Sequence, residues 1–244
     1  MSKIIADKIS KTLDGLYTLA DISLTVGENE VVVVLGPSGC GKSTLLNIIS
    51  GLFAPDSGTI KIDGADWTGK TARVSYMQQK DLLLGSRTIL DNVAIPLLLK
   101  GMAKNQAQAY ARNYFADFGL EGFEHYYPRQ LSGGMRQRAA LLRTYLFASD
   151  IMLLDEPFAA LDAITRRKMH MWLLKLHDRY HSSILFVTHD IEEALLLADR
   201  VYILSSRPAV IKTELILDKT AALTLEMKKD LLAILEEESN DDHF

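Results

Sequence analysis

The chain has 244 residues, of which 48% are hydrophobic and 24% charged, the proportions of a soluble globular protein with a sizeable core. Its formal net charge of −4 argues against nucleic acid as a partner, because proteins that bind nucleic acid usually present a basic surface. The single cysteine, Cys40, excludes an internal disulfide and favours a reducing compartment. No apolar run approaches the roughly 18 residues needed to span a bilayer, so we expect any membrane role to come through a partner.

Short segments near the N-terminus predict an antiparallel sheet. Residues 3–9, 22–26 and 59–63 alternate in part between apolar and polar side chains. Turn signals such as Asp14-Gly15 separate them. We expect these strands to lie against a second, parallel sheet.

Three later runs predict that parallel sheet. Residues 31–35, 151–154 and 184–187 are continuously apolar, as strands buried on both faces are. Each run ends in polar residues, and open α/β sheets bind ligands at the carboxyl ends of their strands. The three strand ends therefore predict one shared site.

The middle of the chain predicts helices. Residues 90–99, 104–118 and 134–147 have helical character, and we expect them to form a helical subdomain over 81–147, inserted into a core of 1–80 and 148–220. A further helix is predicted at 163–180. Another is predicted after Asp190, which can cap it together with Glu193, three residues later, in a capping box. Residues 221–244 predict an amphipathic C-terminal helix that runs into an acidic tail.

The first strand end carries a phosphate-binding loop. The stretch after residue 35 has the spacing G-x-x-x-x-G-K-S and leads into a helical segment. In such a loop the backbone N–H groups and the helix N-terminus bind phosphate, Lys42 contacts the outer phosphates, and the Ser43 hydroxyl completes a magnesium shell. The predicted binding residues are Gly36, Pro37, Ser38, Gly39, Cys40, Gly41, Lys42, Ser43 and Thr44.

The other two strand ends predict catalytic groups. Asp155 is placed to hold the metal ion, and the adjacent Glu156 is placed to orient or deprotonate an attacking water. His189 ends the next strand and can donate a hydrogen bond to the terminal phosphate.

A second anion-binding helix end is predicted at residues 131–138. Ser132, Gly133 and Gly134 precede a helical segment, and one chain with one lysine-bearing loop has little use for another phosphate site. This surplus suggests that two copies face each other and that each donates its helix end to the other's nucleotide.

The chain resembles the nucleotide-binding subunits of ATP-binding cassette (ABC) transporters. Within that superfamily it is similar to the importer ATPases of the nitrate, sulfonate, taurine and thiamine-precursor group. The matching stretches are 36–44, 131–138, 151–157, 158–162, 187–190 and, for the group, 156–166 and 204–208.

The resemblance implies a P-loop NTPase fold of the α/β class, with ATP and Mg²⁺ bound at residues 36–44. It implies that Glu156 is the general base and that His189 senses the γ-phosphate. It assigns Gln78 to metal sensing, in preference to the adjacent Gln79. It also implies that Ser132 and Gly134 touch the ATP of a second copy, and that the loop of Asp162 crosses between the two copies.

The resemblance also implies the partners and the place of action. These are transmembrane permease subunits at the cytoplasmic face of the membrane and, indirectly, a solute-binding protein. Where the family stacks an aromatic ring on adenine this chain has Leu13, and Tyr17 is the alternative contact. Residues 82–88 lack the group's Pro-Trp pair, which predicts a differently shaped groove for the permease.

Several alternatives remain open at the level of sequence. A soluble, non-transport ABC ATPase is disfavoured because this chain has one cassette and no long coiled-coil insertion. An ATP-dependent scaffold is disfavoured by the presence of Glu156 and His189, and an exporter ATPase by the group-level motifs. The solute stays open among pyrimidine precursors, alkanesulfonates, taurine and nitrate, with residues 142–146 favouring the first.

Overall fold

The computed structural model describes residues 2–147 and 150–217. Its strands, in chain order, are β1 (Ser2–Leu13), β2 (Leu16–Gly27), β3 (Val31–Leu35), β4 (Ser57–Ile62), β5 (Ala65–Asp66), β6 (Ser75–Met77), β7 (Ile151–Asp155), β8 (Ser183–Thr188), β9 (Arg200–Leu204) and β10 (Ile211–Ile216). Its helices are α1 (Lys42–Ile49), α2 (Ile89–Leu99), α3 (Lys104–Arg112), α4 (Gly133–Leu146), α5 (Ala163–Tyr180) and α6 (Ile191–Leu197).

The centre of the fold is a six-stranded sheet in the order β10-β9-β3-β8-β7-β6. All neighbouring strands are parallel except the β10–β9 pair. Alternate residues of β3 enter two separate core clusters: Val31 and Val33 pack on one face, and Val32 and Val34 on the other. The prediction of a parallel sheet buried on both faces is confirmed, because a strand covered on both sides gains free energy from apolar residues at every position.

The predicted antiparallel sheet is also confirmed, in the order β2-β1-β4-β5. Its first two strands are longer than expected, and a tight turn at Asp14 and Gly15, both with positive φ, joins them. Such φ values suit a two-residue hairpin turn. This sheet and α1 cover one face of the parallel sheet, and the other helices cover the opposite face.

The helices predicted within residues 2–147 and 150–217 are present, with one clear difference in length. The helix expected over 104–118 ends at Arg112, and residues 113–119 continue as turns. Phe115 and Phe118 lie in those turns and are fully buried, so their apolar spacing reflects core packing rather than helix. Between β6 and β7, the described residues contain no strand, as predicted.

Three strands of the central sheet, β6, β9 and β10, escaped the sequence-based prediction. β9 and β10 form its far edge, and β9 pairs directly with β3. The division into core and inserted subdomain stays a prediction. The predicted C-terminal helix and acidic tail lie outside the described residues. Within those residues, no helix is both long and apolar enough to cross a membrane.

An ionic cluster joins the two sheets. Lys3 of β1 contacts Asp63 at 2.7 Å and Asp150 at 2.6 Å, and Arg73 contacts both carboxylates, with 2.6 Å to Asp150. The hydrogen bonds from Lys3 and Arg73 lower the pKa of Asp63, and those from Arg73 and Lys3 lower the pKa of Asp150. The cluster therefore fixes β1 and the β4–β5 turn to the segments that precede β6 and β7.

Arg73→Met should lower the free energy of unfolding at pH 7 by about 1 kcal/mol, a modest value because solvent screens half-exposed carboxylates. The carboxyl pKa values are lowered by folding, so this stabilisation exists above the ordinary aspartate pKa of about 4 and disappears as pH falls through the folded pKa. Denaturant unfolding at pH 7 and pH 3 should show a difference that shrinks in acid. The same replacement at the exposed Arg129 should have little effect at either pH, and a pH-independent loss for Arg73→Met would contradict this account.

Candidate active site

The loop after β3 folds back on the lysine that closes it. Lys42 is 6% exposed, and its ammonium group donates to the carbonyl oxygens of Gly36 and Pro37, both at 2.8 Å. Gly41 has φ 127°, and a Cβ there would lie 2.8 Å from the side chain of Leu19. Helix α1 begins at Lys42, so its positive end belongs to the loop. The geometry is that of a phosphate cradle.

Asp155 supplies the anionic side of the site. It ends β7 and is 3% exposed, and its Oδ1 atom is buried without a hydrogen-bond partner among the described residues. Burial raises the pKa of Asp155, opposed by a hydrogen bond from Ser43. An orphaned carboxylate oxygen beside a serine hydroxyl is a donor set that suits a hard cation. Ser43 and Asp155 therefore fit a magnesium site.

Glu156 contacts residues from several parts of the site. Its Oε1 atom lies 3.2 Å from Nδ1 of His189, and its Oε2 atom accepts from Nε2 of Gln79 at 3.2 Å. Its backbone N–H donates to the carbonyl of Val187, and its own carbonyl accepts from Gln137. Glu156 has φ 47°, uncommon for a non-glycine residue and found more often at functional sites. The surrounding contacts stabilise this strained backbone conformation, which places the Glu156 carboxylate between Gln79 and His189.

Gln79, rather than Gln78, brings its side chain to this carboxylate. Strand β6 ends at Met77, so Gln78 directly follows the strand and is half-buried, while Gln79 is exposed one residue further on. The assignment of the sensing role to Gln78 rested on the spacing of the leucines that follow. The contact between Gln79 and Glu156 favours the neighbour instead.

His189 stands on a buried polar network. Glu193 is 4% exposed, and its two oxygens contact His170 Nε2 at 3.2 Å and the Thr188 hydroxyl at 2.6 Å. The Thr188 oxygen in turn accepts from the backbone N–H of Asp190 at 3.0 Å. The network fixes the residues on both sides of His189.

The Glu193 contacts correct one detail of the sequence-based prediction. Asp190 caps α6 as expected, accepting from the backbone N–H groups of Glu192 and Glu193. In a capping box the Glu193 side chain would accept a hydrogen bond from the backbone N–H of Asp190. That N–H instead donates to the Thr188 hydroxyl oxygen. The Glu193 side chain points into the core, where it contacts the Thr188 hydroxyl and the imidazole of His170. A buried carboxylate needs such hydrogen bonds because it has lost its contacts with water.

The start of α4 packs on the segment after Glu156. Ser132 caps the helix by accepting from the N–H of Met135 at 3.3 Å, and it is exposed. A Cβ on Gly134 would come within 3.0 Å of the Leu161 side chain, so glycine allows this close approach without a shift of the leucine. Gln137 accepts from the backbone N–H of Ala160 at 3.1 Å. Gly134 thus contributes to packing at this helix end.

Asp162 begins the next helix. Its carboxylate caps α5 by accepting from the N–H of Thr165 at 3.0 Å. The guanidinium of Arg166 donates to the carbonyl of Leu161 at 3.1 Å and contacts Asp190 at 3.4 Å. These contacts connect the segment after Glu156 to the residue that follows His189.

Arg207 was not predicted as a site residue. Its guanidinium donates to the carbonyl of Gly39 within the phosphate loop. In the sequence, residues 204–208 stood out only for their likeness to the importer group. An arginine just after a strand of the same sheet was the available signal, but its strand, β9, was itself missed.

The two candidates for adenine lie on the β1–β2 hairpin. Leu13 pairs with Leu16 across the turn, and Thr12 pairs with Tyr17. Leu16 is 56% exposed and Tyr17 48% exposed, while Leu13 is half-buried. The structure therefore offers Tyr17 as an accessible ring near the start of β2, and the adenine contact stays a prediction.

Glu193→Ala should destabilise the protein by about 1–3 kcal/mol, because it leaves His170 and the Thr188 hydroxyl buried without their partner. ATP hydrolysis should fall as well, since the same change frees the segment that carries His189. Thermal unfolding and steady-state hydrolysis measure the two effects. Glu193→Gln, which keeps the size and one oxygen acceptor, should lose less of both, and equal losses in the two variants would contradict the role of the hydrogen bonds.

Residues 19–159 match the protein-family model described as ABC transporter. That stretch contains the phosphate loop, the start of α4, Asp155 and Glu156. More than half of the chain is therefore covered by the family model, and His189 lies beyond the matched stretch.

Curated relatives extend the likeness over most of the chain. The formylaminopyrimidine import ATP-binding protein ThiZ of Halalkalibacterium halodurans is 44% identical over 89% of this chain and 90% of its own. The taurine import ATP-binding protein TauB of Yersinia pestis is 43% identical over 84% and 80%, and the nitrate import ATP-binding protein NrtD of Synechocystis is 43% identical over 82% and 76%.

Solved structures agree with the sequence relatives. The dimeric structure of MJ0796, a bacterial ABC transporter cassette, superposes with a TM-score of 0.81 at 31% identity and covers 88% of this chain and 99% of its own. The same cassette in a post-hydrolysis state bound to ADP and Pi gives 0.80 at 30% identity, with the same coverage. By its sequence, its fold and its site, the chain belongs to the ABC transporter family of ATP-binding cassettes.

Proposed function

We propose that the chain is the ATP-hydrolysing subunit of an ABC importer. The observation that carries this proposal is the convergence of three strand ends, which bring Lys42 and Ser43, Asp155 and Glu156, and His189 to one edge of the sheet. The import function of ThiZ, TauB and NrtD supports transport rather than a soluble, non-transport role.

Each residue of the site has a distinct task in hydrolysis. Lys42 and the backbone N–H groups of residues 36–44 bind the phosphates of ATP. A magnesium ion at Ser43 and Asp155 would neutralise phosphate charge. Glu156 accepts the proton of the attacking water, and His189 donates a hydrogen bond to the γ-phosphate. In this proposal Gln79 takes the sensing role predicted for Gln78, because it contacts the base directly.

Two copies of the chain form the working unit in this proposal. Ser132 and Gly134 lie at the exposed N-terminal end of α4. This end of the helix packs against Ala160 and Leu161. In a head-to-tail pair this end would contact the ATP held by the phosphate loop of the second copy, and Asp162 would lie between the copies. The dimeric structure of MJ0796 supports the pairing of two copies. Two bound ATP molecules would then favour the closed pair, and loss of a γ-phosphate would release it.

The segment after Gln79 is the proposed contact with the permease. Leu82 is 51% exposed and Leu84 45% exposed, an apolar surface where the group carries Pro-Trp. Arg143 of α4 donates to the carbonyl of Leu82 at 2.8 Å, and Arg136 contacts Asp81 at 3.0 Å. A movement at Glu156 could thus pass through Gln79 and this segment to a transmembrane partner. We place the pair of subunits at the cytoplasmic face of the membrane. A solute-binding protein would be an indirect partner, acting through the permease.

The transported solute is proposed only as a class. The named relatives import formylaminopyrimidine, taurine and nitrate, and their identities to this chain differ by a single percentage point. We propose a solute of the nitrate, sulfonate, taurine or pyrimidine-precursor type, with the last favoured. Uptake of each candidate by cells that carry the chain with its neighbouring permease would separate them.

Glu156→Gln should reduce ATP hydrolysis about 10²–10⁴-fold, the usual contribution of a general base, while ATP binding persists because the phosphate loop is unchanged. Phosphate release and equilibrium binding of ATP measure the two effects. Hydrolysis at the normal rate in this variant would overturn the assignment of Glu156 as the base.

The pair Gln79→Ala and Gln78→Ala decides which glutamine serves the site. Gln79→Ala should slow hydrolysis about tenfold or more, because it removes a hydrogen bond to a charged carboxylate. Gln78→Ala removes the same type of side chain from the preceding position and should reduce the rate of hydrolysis less. Steady-state hydrolysis at saturating ATP and magnesium is the measurement, and a larger loss in the Gln78 variant would restore the sequence-based assignment.

A further inference from the structure

The outer face of α5 forms a groove that nucleotide binding does not use. The groove has a volume of about 990 Å³ and lies between α5, the C-terminal end of α4 and residues 114–118. Its floor is aromatic: the Phe118 and Trp172 rings lie 4.1 Å apart between centroids, and Tyr145 packs edge-on against Trp172 at 6.2 Å. The groove is therefore a preformed apolar surface on the side of the fold away from the antiparallel sheet.

Two large apolar side chains on α5 extend this floor into solvent. Ile164 is 72% exposed and Met171 is 47% exposed, and both line the groove. With Trp172 they lie at positions i, i+7 and i+8 of one helix, which places them on a single face. A continuous apolar stripe on an exposed helix face is a feature of surfaces that receive another helix.

The same face of α5 is strongly basic. Arg167, Lys168, Lys175 and Arg179 all line the groove and are exposed. Asp117 is the one acidic residue in the described lining. The occupant of the groove should therefore combine an apolar face with a concentration of carboxylates.

The C-terminal segment of this chain has that chemistry. Leu223, Met227, Leu231 and Leu235 recur every four residues, which gives residues 223–235 one apolar helical face. Residues 236–242, the acidic run, follow at once and contain five carboxylates. The apolar face matches the floor of the groove, and the acidic run matches its basic rim.

The last described residue, Leu217, lies on the face of the sheet that carries the groove. It packs in the same core cluster as Leu173 and Leu176 of α5. Its N–H donates to the carbonyl of Asp199, just before β9, at the edge where the C-terminal end of α5 leads into β8. In the sheet order, β10 and β8 are three strands apart, about 14 Å.

Chain length and direction are compatible with this occupant. Residues 218–222 can span about 17 Å when extended, enough to cross that distance. A helix over 223–235 would then be about 20 Å long and run along α5 toward its N-terminal end. The acidic run would arrive beside Arg167 and Lys168, one turn after the start of α5.

We propose that residues 223–235 pack as a helix into the α5 groove of their own chain and that the acidic run pairs with Arg167 and Lys168. The occupant is the chain itself rather than a second copy or a permease. The proposal does not depend on the proposed transport function, because the groove and its rim lie outside the nucleotide site.

Trp172 makes the contact measurable in the full-length protein. The chain has two tryptophans, so Trp67→Phe leaves Trp172 as the single tryptophan, which can be excited selectively. Quenching of Trp172 by acrylamide should be weak in this protein. Glu237→Lys with Glu238→Lys should raise the quenching constant and shift the emission to the red, because like charges then repel the tail from the rim.

A charge exchange separates a direct contact from a general effect. Adding Arg167→Glu and Lys168→Glu to the reversed tail should restore weak quenching. A matched control reverses two exposed acids away from the groove, Asp7→Lys with Glu28→Lys, and should leave Trp172 unchanged. Thermal unfolding of every variant identifies any that fails to fold, and for such a variant Glu237→Gln with Glu238→Gln gives the same test.

Three results would overturn the proposal. Quenching that does not respond to the tail reversal would show that the tail does not cover the groove. A reversed tail that the rim exchange does not rescue would show that the effect is not a pairing of these charges. Protection of Trp172 that appears only at high protein concentration, or only with permease-containing membranes, would assign the groove to a second copy or to the permease.

Discussion

The carboxylate of Glu156 is the group on which the rest of the site depends. The carboxylate contacts Gln79 and His189, and the backbone of Glu156 is held by Gln137 and by the carbonyl of Val187. The contacts come from the segment after β6, from α4 and from the end of β8, so the strained φ of Glu156 persists only while the surrounding sheet and helices stay packed. A group held in this way can report the state of the nucleotide site to every element that touches it.

The same contacts lead outward to the surfaces proposed for partners. Gln137 lies on α4, whose exposed N-terminus carries Ser132, and Gln79 begins the segment that Arg143 fastens to the other end of that helix. Helix α4 therefore touches both the proposed catalytic base and the proposed permease surface. A rigid helix is a suitable carrier of a small displacement, because a packed core shifts between discrete arrangements and does not deform continuously.

The sequence predicts the parts of this structure that local chemistry determines. Continuous apolar strands, the phosphate loop with Lys42, and helix ends marked by Ser132 or Asp190 follow from short stretches alone. The choice between Gln78 and Gln79 does not, because it depends on where the three-residue strand β6 ends, which its pairing with β7 sets. The inward turn of Glu193 likewise depends on His170, which is distant in sequence.

The central claim is that the site is completed by a second copy of the chain, and mass measurement by light scattering tests it most directly. In the slow-hydrolysing Glu156→Gln background, ATP with magnesium should double the molecular mass. Adding Ser132→Arg should prevent the doubling while ATP still binds, since Ser132 would contact only the partner's nucleotide. A pair that forms equally well with Ser132→Arg, or a protein that stays monomeric with ATP bound, would contradict the account.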